Sequence, residues 1–341
     1  MSFESDIENG KADPREQTPA GPAKTGLDLK ALKTGGIIKQ RQKDLFTVRL
    51  KCPGGRVPLE RLSKIREVAQ RYGRGYVHIS VRQSIEIPYI RSGDLEKVRE
   101  ELGQAGQEIA SAGARVRVPV ACGGCEYNPK GLMDTQAAAQ EVSRRFFGAG
   151  PFGHKFKMAF AGCPMDCVHS SLNDLGFQGA VMPAWEQSKC KACGLCAKAC
   201  QEGAIVEEKE TRRPRYLAER CVHCGDCIRA CPFDAWRARE TGWIVRAGGK
   251  YGRHPICGST IAMFLPAEKA PEVIEAVISW YERMGKGKGR VRLGALLLEK
   301  ELWKTFLSDM AGVLGEWAVR KAPAPQPIEA HHYHRAHETL V

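Results

Sequence analysis

Residues 44–51 (DLFTVRLK) alternate apolar with polar side chains, the period of a half-buried strand. The period then changes: within residues 58–72, Leu59, Leu62, Ile65 and Val68 recur at helical spacing. Residues 75–89 (GYVHISVRQSIEIPY) return to alternation, residues 93–112 predict a second helix, and residues 115–121 predict a further strand. Together these predict a small ferredoxin-like β-α-β-β-α-β layer. Farther along, the pattern predicts a helix over 134–147, a strand over 243–247, and amphipathic helices over 271–284 and 293–310.

Between these segments the chain changes character. Residues 186–237 hold eight cysteines and little apolar periodicity, which predicts an inserted minidomain held by metal rather than by a core. An α/β domain is interrupted there and resumes behind it. Residues 1–35 are rich in Pro, Gly, Lys and Glu without a period and predict a mobile extension. The expected organisation is therefore an extension over 1–35 and a ferredoxin-like layer over 36–114. A mixed α/β domain follows in two parts, 115–185 and 238–320, with the insertion 186–237 between them. A tail over 321–341, with prolines and four histidines, is expected to have little order.

Composition narrows the classes. With 43% hydrophobic and 27% charged residues, the 341-residue chain reads as globular, with room for two or three domains. No apolar run approaches the roughly 18 residues of a membrane helix. The first residues are polar where a signal peptide would be apolar, so the expected home is the reducing cytoplasm. There, 14 cysteines predict metal ligation rather than disulfides. The net charge of +13 raises nucleic acid as a partner, but no aromatic–basic recognition motif accompanies it. Anionic cofactors and an anionic substrate are the other use for such a surplus. No G-x-G-x-x-G follows a strand and no P-loop is present. Electrons for any redox chemistry are therefore expected from another protein.

The strongest motif is Cys190-x₂-Cys193-x₂-Cys196-x₃-Cys200 followed by Cys221-x₂-Cys224-x₂-Cys227-x₃-Cys231-Pro232. This is the bacterial two-cluster ferredoxin pattern, in which three close thiolates cap one cubane and the fourth crosses to the other. One cluster is expected on Cys190, Cys193, Cys196 and Cys231, the other on Cys221, Cys224, Cys227 and Cys200. Gly194 and Gly225 are expected to let the loops turn toward the inorganic sulfides. Structural zinc also uses C-x₂-C pairs, but the doubled run with crossover spacing is the iron–sulfur arrangement. Two further pairs, Cys122-x₂-Cys125 and Cys163-x₃-Cys167, lie about forty residues apart. Spacing alone leaves a third cluster and buried free cysteines equally open. Cys52 and Cys257 have no partners at metal spacing and are expected to be buried small side chains. His223 is expected to be a loop or tuning residue, and residues 285–290 (GKGKGR) a basic loop.

The run AFAGCPMDCVHSSLNDLGFQGAV resembles the siroheme-binding signature of sulfite and nitrite reductases, and HISVRQSIEIP resembles that family's anion-binding strand. With the ferredoxin insertion, the likeness over residues 36–320 is strongest to the siroheme-bearing catalytic component of anaerobic sulfite reductase and to dissimilatory-type subunits. The resemblance implies an α+β/α/β fold of sulfite-reductase-like domains with an inserted two-cluster ferredoxin domain. It also implies siroheme and three 4Fe-4S clusters, one of them coupled to the siroheme. Cys163 and Cys167 would ligate the coupled cluster with Cys122, and Cys167 would bridge to the siroheme iron. The family's usual C-x₅-C spacing falls on Asn128, whereas this chain has Cys125; a neutral amide is a poor ligand for a soft centre, which favours Cys125.

By the same resemblance Arg82, Arg117, Lys155 and Lys157 would face the substrate anion. Elementary chemistry agrees, because a small anion needs fixed, desolvated cations, and lysine can also donate a proton as S–O bonds break. At period two, Lys155 and Lys157 share a face. The function implied is six-electron reduction of sulfite to sulfide. The rivals are nitrite reduction to ammonia and a noncatalytic iron–sulfur electron-transfer subunit with a degenerate siroheme site. An electron-donor subunit or ferredoxin-like protein is the expected partner, within a hetero- or homo-oligomer.

Overall fold

The computed structural model describes residues 26–328. The Asp28 carboxylate accepts the N–H groups of Lys30 and Ala31 at 2.9 and 3.0 Å and so caps α1 (Leu29–Thr34). The expected extension over 1–35 thus gives way to ordered structure before residue 35; residues 1–25 lie outside the described residues. Next come β1 (Ile37–Lys39), β2 (Leu45–Arg49), α2 (Leu59–Tyr72), β3 (His78–Ile79), β4 (Ile85–Arg91) and α3 (Leu95–Gln104). The four strands form an antiparallel sheet in the order β1-β2-β4-β3. Phe46, Val48 and Leu50 alternate into one core with Ile65 and Val68 of α2 and Leu95, Val98 and Leu102 of α3. This is the ferredoxin-like layer.

Three details differ from the pattern. Leu59 and Leu62 stay 74% and 40% exposed, so only the later turns of α2 reach the core. Residues 75–89 are not one strand, because a turn at 80–84 folds β3 back on β4, with Gln83 at φ +60°. The second helix stops at Gln104, and Lys51 N–H and Ala110 N–H then bond across to Glu108 and Arg49 carbonyls. That returning segment takes the sheet position the pattern had offered to residues 115–121.

The rest of the chain builds a second domain. In order it carries β5 (Val120–Ala121), α4 (Gly124–Tyr127), α5 (Thr135–Phe146), β6 (Met158–Ala161) and β7 (Leu175–Trp185). The cysteine-rich insertion contributes α6 (Leu195–Ala199), β8 (Ile205–Glu207), β9 (Pro214–Tyr216) and α7 (Asp226–Arg229). β10 (Trp236–Ala247), β11 (Ile256–Cys257), β12 (Ser259–Leu265), α8 (Ala270–Gly285), α9 (Leu293–Leu296), α10 (Lys300–Leu314) and β13 (Gln326–Pro327) complete it. One sheet runs β12-β10-β7-β6-β5, parallel on the β5-β6-β7 side and antiparallel beyond. Residues 115–121 belong here, since Val116 bridges to Phe156 and β5 pairs with β6. All four residues of β6 are buried, as a parallel strand covered on both faces requires. Phe160 stacks on Phe177 at 4.8 Å, and Trp243 meets both edge-on.

β7 and β10 are long enough to leave the sheet. Residues 237–241 of β10 are exposed, and the ribbon ends where Trp185 pairs with Trp236. The insertion hangs on that end, with a small core of Cys196, Ile205, Cys227 and Trp236. Two expectations are corrected near the C-terminus. The helix predicted over 293–310 is divided into α9 and α10; a Cβ on Gly294 would lie 2.0 Å from the Gly248 carbonyl oxygen, so α9 is held against that loop. Residues after 322 are not all irregular either, because β13 pairs with β11. Cys52 is buried as expected, while Cys257 is only half-buried. The histidines at 331–337 lie outside the described residues.

Candidate functional site

The 80–84 turn points away from its own sheet and reaches the second domain. Gln83 bonds both main-chain groups of Ala121, donating to its carbonyl at 2.7 Å and accepting its N–H at 2.9 Å. Beside it, Arg82 donates to the Val118 carbonyl at 3.0 Å and to Asn173 Oδ1 at 3.1 Å. Arg117 is held by the carbonyls of Ser111 and Gly113. A cavity at the seam is lined by Arg49, Arg82 and Arg117 with Ser80, Ser84 and Ser111. Burial pushes Arg82 down to about 10, helped by repulsion from Arg117. Arg117 is also lowered to about 10, by burial and then by Arg49 and Arg292.

Lys155 and Lys157 precede β6 on one face, with Phe156 buried between them. Lys157 falls to about 7, first through burial, then through Arg82, Lys155 and Arg292, with Asp174 opposing. Lys155 is lowered by burial and by Arg292 and Arg117. Arg82, Lys155 and Lys157 each feel at least one other of the predicted cations, Arg117 acting on Arg82 and Lys155, and the fold brings the four together. His154 is pushed down to about 4 by burial and by Lys155, so it is neutral at pH 7. A fully buried carboxylate, Asp174, is engaged by Arg292 in two hydrogen bonds of 2.9 and 2.5 Å and accepts the Lys157 N–H at 2.8 Å. Cations held this close while partly desolvated favour an anion among them.

The two cysteine loops abut next to this face. Gly162 N–H donates to Cys122 Sγ at 3.1 Å, and a Cβ on Gly162 would lie 2.8 Å from Gly124 Cα. The Cys163 thiol is pushed up by burial and, more weakly, by Cys122 and Cys167. Cys125 is exposed on the single turn of α4, and the Asn128 side-chain oxygen accepts Lys130 N–H at 3.0 Å. Asn173 ties the loops to the cations: besides holding Arg82, it donates to the His169 carbonyl, two residues beyond Cys167.

In the insertion, Cys190, Cys193, Cys196 and Cys231 line one cavity, and Cys200, Cys221, Cys224 and Cys227 line another. Gly194 and Gly225 precede α6 and α7 at φ +73° and +76°, the left-handed region in which glycine carries no Cβ penalty. Burial pushes Cys227 up to about 12, and Cys224 and Cys221 add to it. His223 turns its ring edge-on to Phe264 at 5.0 Å. Among the described residues no three His, Cys, Asp or Glu side chains are arranged to hold a metal ion. Thiolates around a cubane each bind a separate iron, so a cluster does not require them to converge on one point.

Comparison with known proteins gives this arrangement its relatives. Residues 112–304 match the nitrite and sulphite reductase 4Fe-4S domain, and residues 38–105 match the nitrite/sulfite reductase ferredoxin-like half domain. The chain belongs to the nitrite and sulfite reductase family. It is 33% identical to the coenzyme F420-dependent sulfite reductase of Methanocaldococcus jannaschii over 77% of this chain and 42% of that protein. It is 29% identical to a subunit of the anaerobic sulfite reductase of Salmonella typhimurium over 50% of this chain and 53% of that one. The chain therefore spans about half the length of these curated relatives. In fold it is similar to dissimilatory sulfite reductase I, with a TM-score of 0.65 and 22% identity over 78% of this chain and 69% of that one.

In this family member, sequence reasoning missed Arg49, Asn173, Asp174 and Arg292. A lone acid opening the mostly apolar run LGFQGAV was a signal for Asp174. Nothing marked Arg49 or Arg292, each a single cation in ordinary surroundings until the chain folds.

Proposed function

We propose that this chain is the siroheme- and iron–sulfur-bearing subunit of a sulfite reductase. The observation that carries the reading is the Asn173 link, which joins Arg82 of the cation pocket to the chain just past Cys167. A soft-metal cysteine turn and a pocket for a small anion then belong to one site. The donor chemistry fits the groups the family implies: thiols suit iron–sulfur centres, and clustered cations suit a carboxylate-rich macrocycle and an oxyanion.

Cys122, Cys125, Cys163 and Cys167 would hold the coupled cluster, with Cys167 the residue that also serves siroheme, and the two insertion sets would hold the other clusters. When bound, siroheme and its cluster would supply electrons and an iron site for the anion. Arg82 and Arg117 present fixed forks of donors to the oxyanion, and their charge offsets the negative charge that grows during reduction. Lys157, its pKa lowered to about 7 by burial and the neighbouring cations, donates a proton as an S–O bond breaks. Lys155 adds charge on the same face. An electron-donor protein would complete the system.

Anaerobically purified protein is expected to hold about twelve irons in three cubanes plus about one in siroheme. Chemical iron analysis with an absorption spectrum checks this; a fully loaded preparation with only about eight irons and no siroheme bands would sink the catalytic reading. A product assay for sulfide against ammonia separates sulfite from nitrite as substrate. For the fourth ligand, Cys125→Ser is expected to lose the coupled cluster while Asn128→Ala keeps it, read by iron content and by magnetic coupling to siroheme. The Asn128 amide oxygen is already engaged by Lys130 N–H, which supports Cys125. The opposite pattern would transfer the role to Asn128.

A further inference from the structure

The insertion contains two buried donors without a hydrogen bond of ordinary geometry, each facing a cysteine sulfur. Trp236 is 3% exposed, and its Nε1–H has no hydrogen-bond partner among the described residues; the buried Tyr216 hydroxyl has none there either. Leaving such a donor unpaired away from water is costly. Their positions explain the omission. Trp236 lines the cavity of Cys190, Cys193, Cys196 and Cys231, with its indole against the Cys196 sulfur. Tyr216 lines the cavity of Cys200, Cys221, Cys224 and Cys227, with its hydroxyl against Cys221.

We infer that Trp236 and Tyr216 each donate a hydrogen bond to the sulfur of one cluster, Trp236 to the first and Tyr216 to the second. The inference rests on reading the insertion as a two-cluster module. An indole N–H can only donate, and a phenol facing thiolate and sulfide finds acceptors there. Both side chains are fixed by regular structure: Tyr216 ends β9, and Trp236 begins β10. They meet edge-to-face at 5.8 Å and 73°, so one aromatic pair serves both cavities. Trp185 also packs against Trp236, with ring centroids 6.5 Å apart. Its own Nε1 is also unpaired among the described residues, but it lines neither cavity.

The consequence is a separate adjustment of each reduction potential. A donor to cluster sulfur favours the reduced form, which carries one more negative charge, and so raises the potential. Trp236→Phe and Tyr216→Phe remove the donors and keep the rings. In an EPR-monitored redox titration of the full chain, each variant is expected to make one midpoint more negative and leave the other in place. The two variants should move different midpoints. A roughly tenfold loss in the reduction equilibrium corresponds to about 59 mV for one electron. Unchanged midpoints in either variant, or equal shifts of both, would overturn the inference while leaving the two-cluster reading intact. A parent protein without two cluster signals would remove that reading, and the inference with it. Should Trp236→Phe fail to load clusters, the parent protein with ¹⁵N in its indoles decides. Coupling of an indole nitrogen to a reduced cluster supports the hydrogen bond, and its absence overturns it.

Discussion

Replacing Lys157 by alanine is expected to lower sulfite turnover by about 10²–10³-fold while the siroheme absorption bands remain, the scale of losing one preorganised charged donor. The side chain is half-buried among Arg82, Lys155 and Arg292, with Asp174 as the opposing charge. Its ammonium is therefore destabilised and held near pH 7, where it can give up a proton readily. Below about 7 the ammonium is present and can donate; as pH rises through about 7 it is lost. kcat/KM, which reports the free enzyme, should fall across that range in the parent protein. The alanine variant should show no such limb. Lys157→Arg retains charge but not a proton that leaves at neutral pH, so anion binding should survive better than turnover. Unchanged turnover in Lys157→Ala would remove this lysine from the site.

Breaking the Asp174–Arg292 pair should cost the most stability of any single change near the site. Asp174 is fully buried and Arg292 is 6% exposed, so removing one charge strands the other away from water. Asp174→Asn is expected to destabilise the protein by about 3–5 kcal/mol, measured by denaturant unfolding. The paired replacement Asp174→Leu with Arg292→Met should recover most of that loss, because an apolar pair leaves no buried charge uncompensated. Equal losses in the single and double variants would mean the pair is not the source. The single variant should also loosen Lys157, whose N–H is bonded to Asp174 Oδ2. Its turnover should then fall more than a stability loss alone explains.

Local patterns carried much of the architecture. Period two in residues 44–51 and helical spacing in residues 58–72 were enough for one layer, because both sets of apolar residues had to find a shared core. They misread residues 75–89. A continuous alternation says nothing of Gln83, whose left-handed backbone and bonds to Ala121 are set by a strand from the other domain. Residues 115–121 failed for a related reason. An apolar segment that short satisfies either sheet, and the parallel partner at Phe156 chose.

The site divides along the same line. Cysteine spacing within short loops is a local property, so the two sets of four could be read from the chain alone, and they line two separate cavities. Arg82, Arg117, Lys155 and Lys157 were legible only through resemblance, since a cation in isolation looks like any solvated surface group. It took the packed molecule to place Arg49 in one cavity with Arg82 and Arg117, to join Arg82 through Asn173 to the chain past Cys167, and to answer Asp174 with Arg292. The physical reason is range. Backbone periodicity and loop chelation act over a few residues, whereas burial and electrostatic coupling exist only after segments more than a hundred positions apart have been packed together, as Asp174 and Arg292 are.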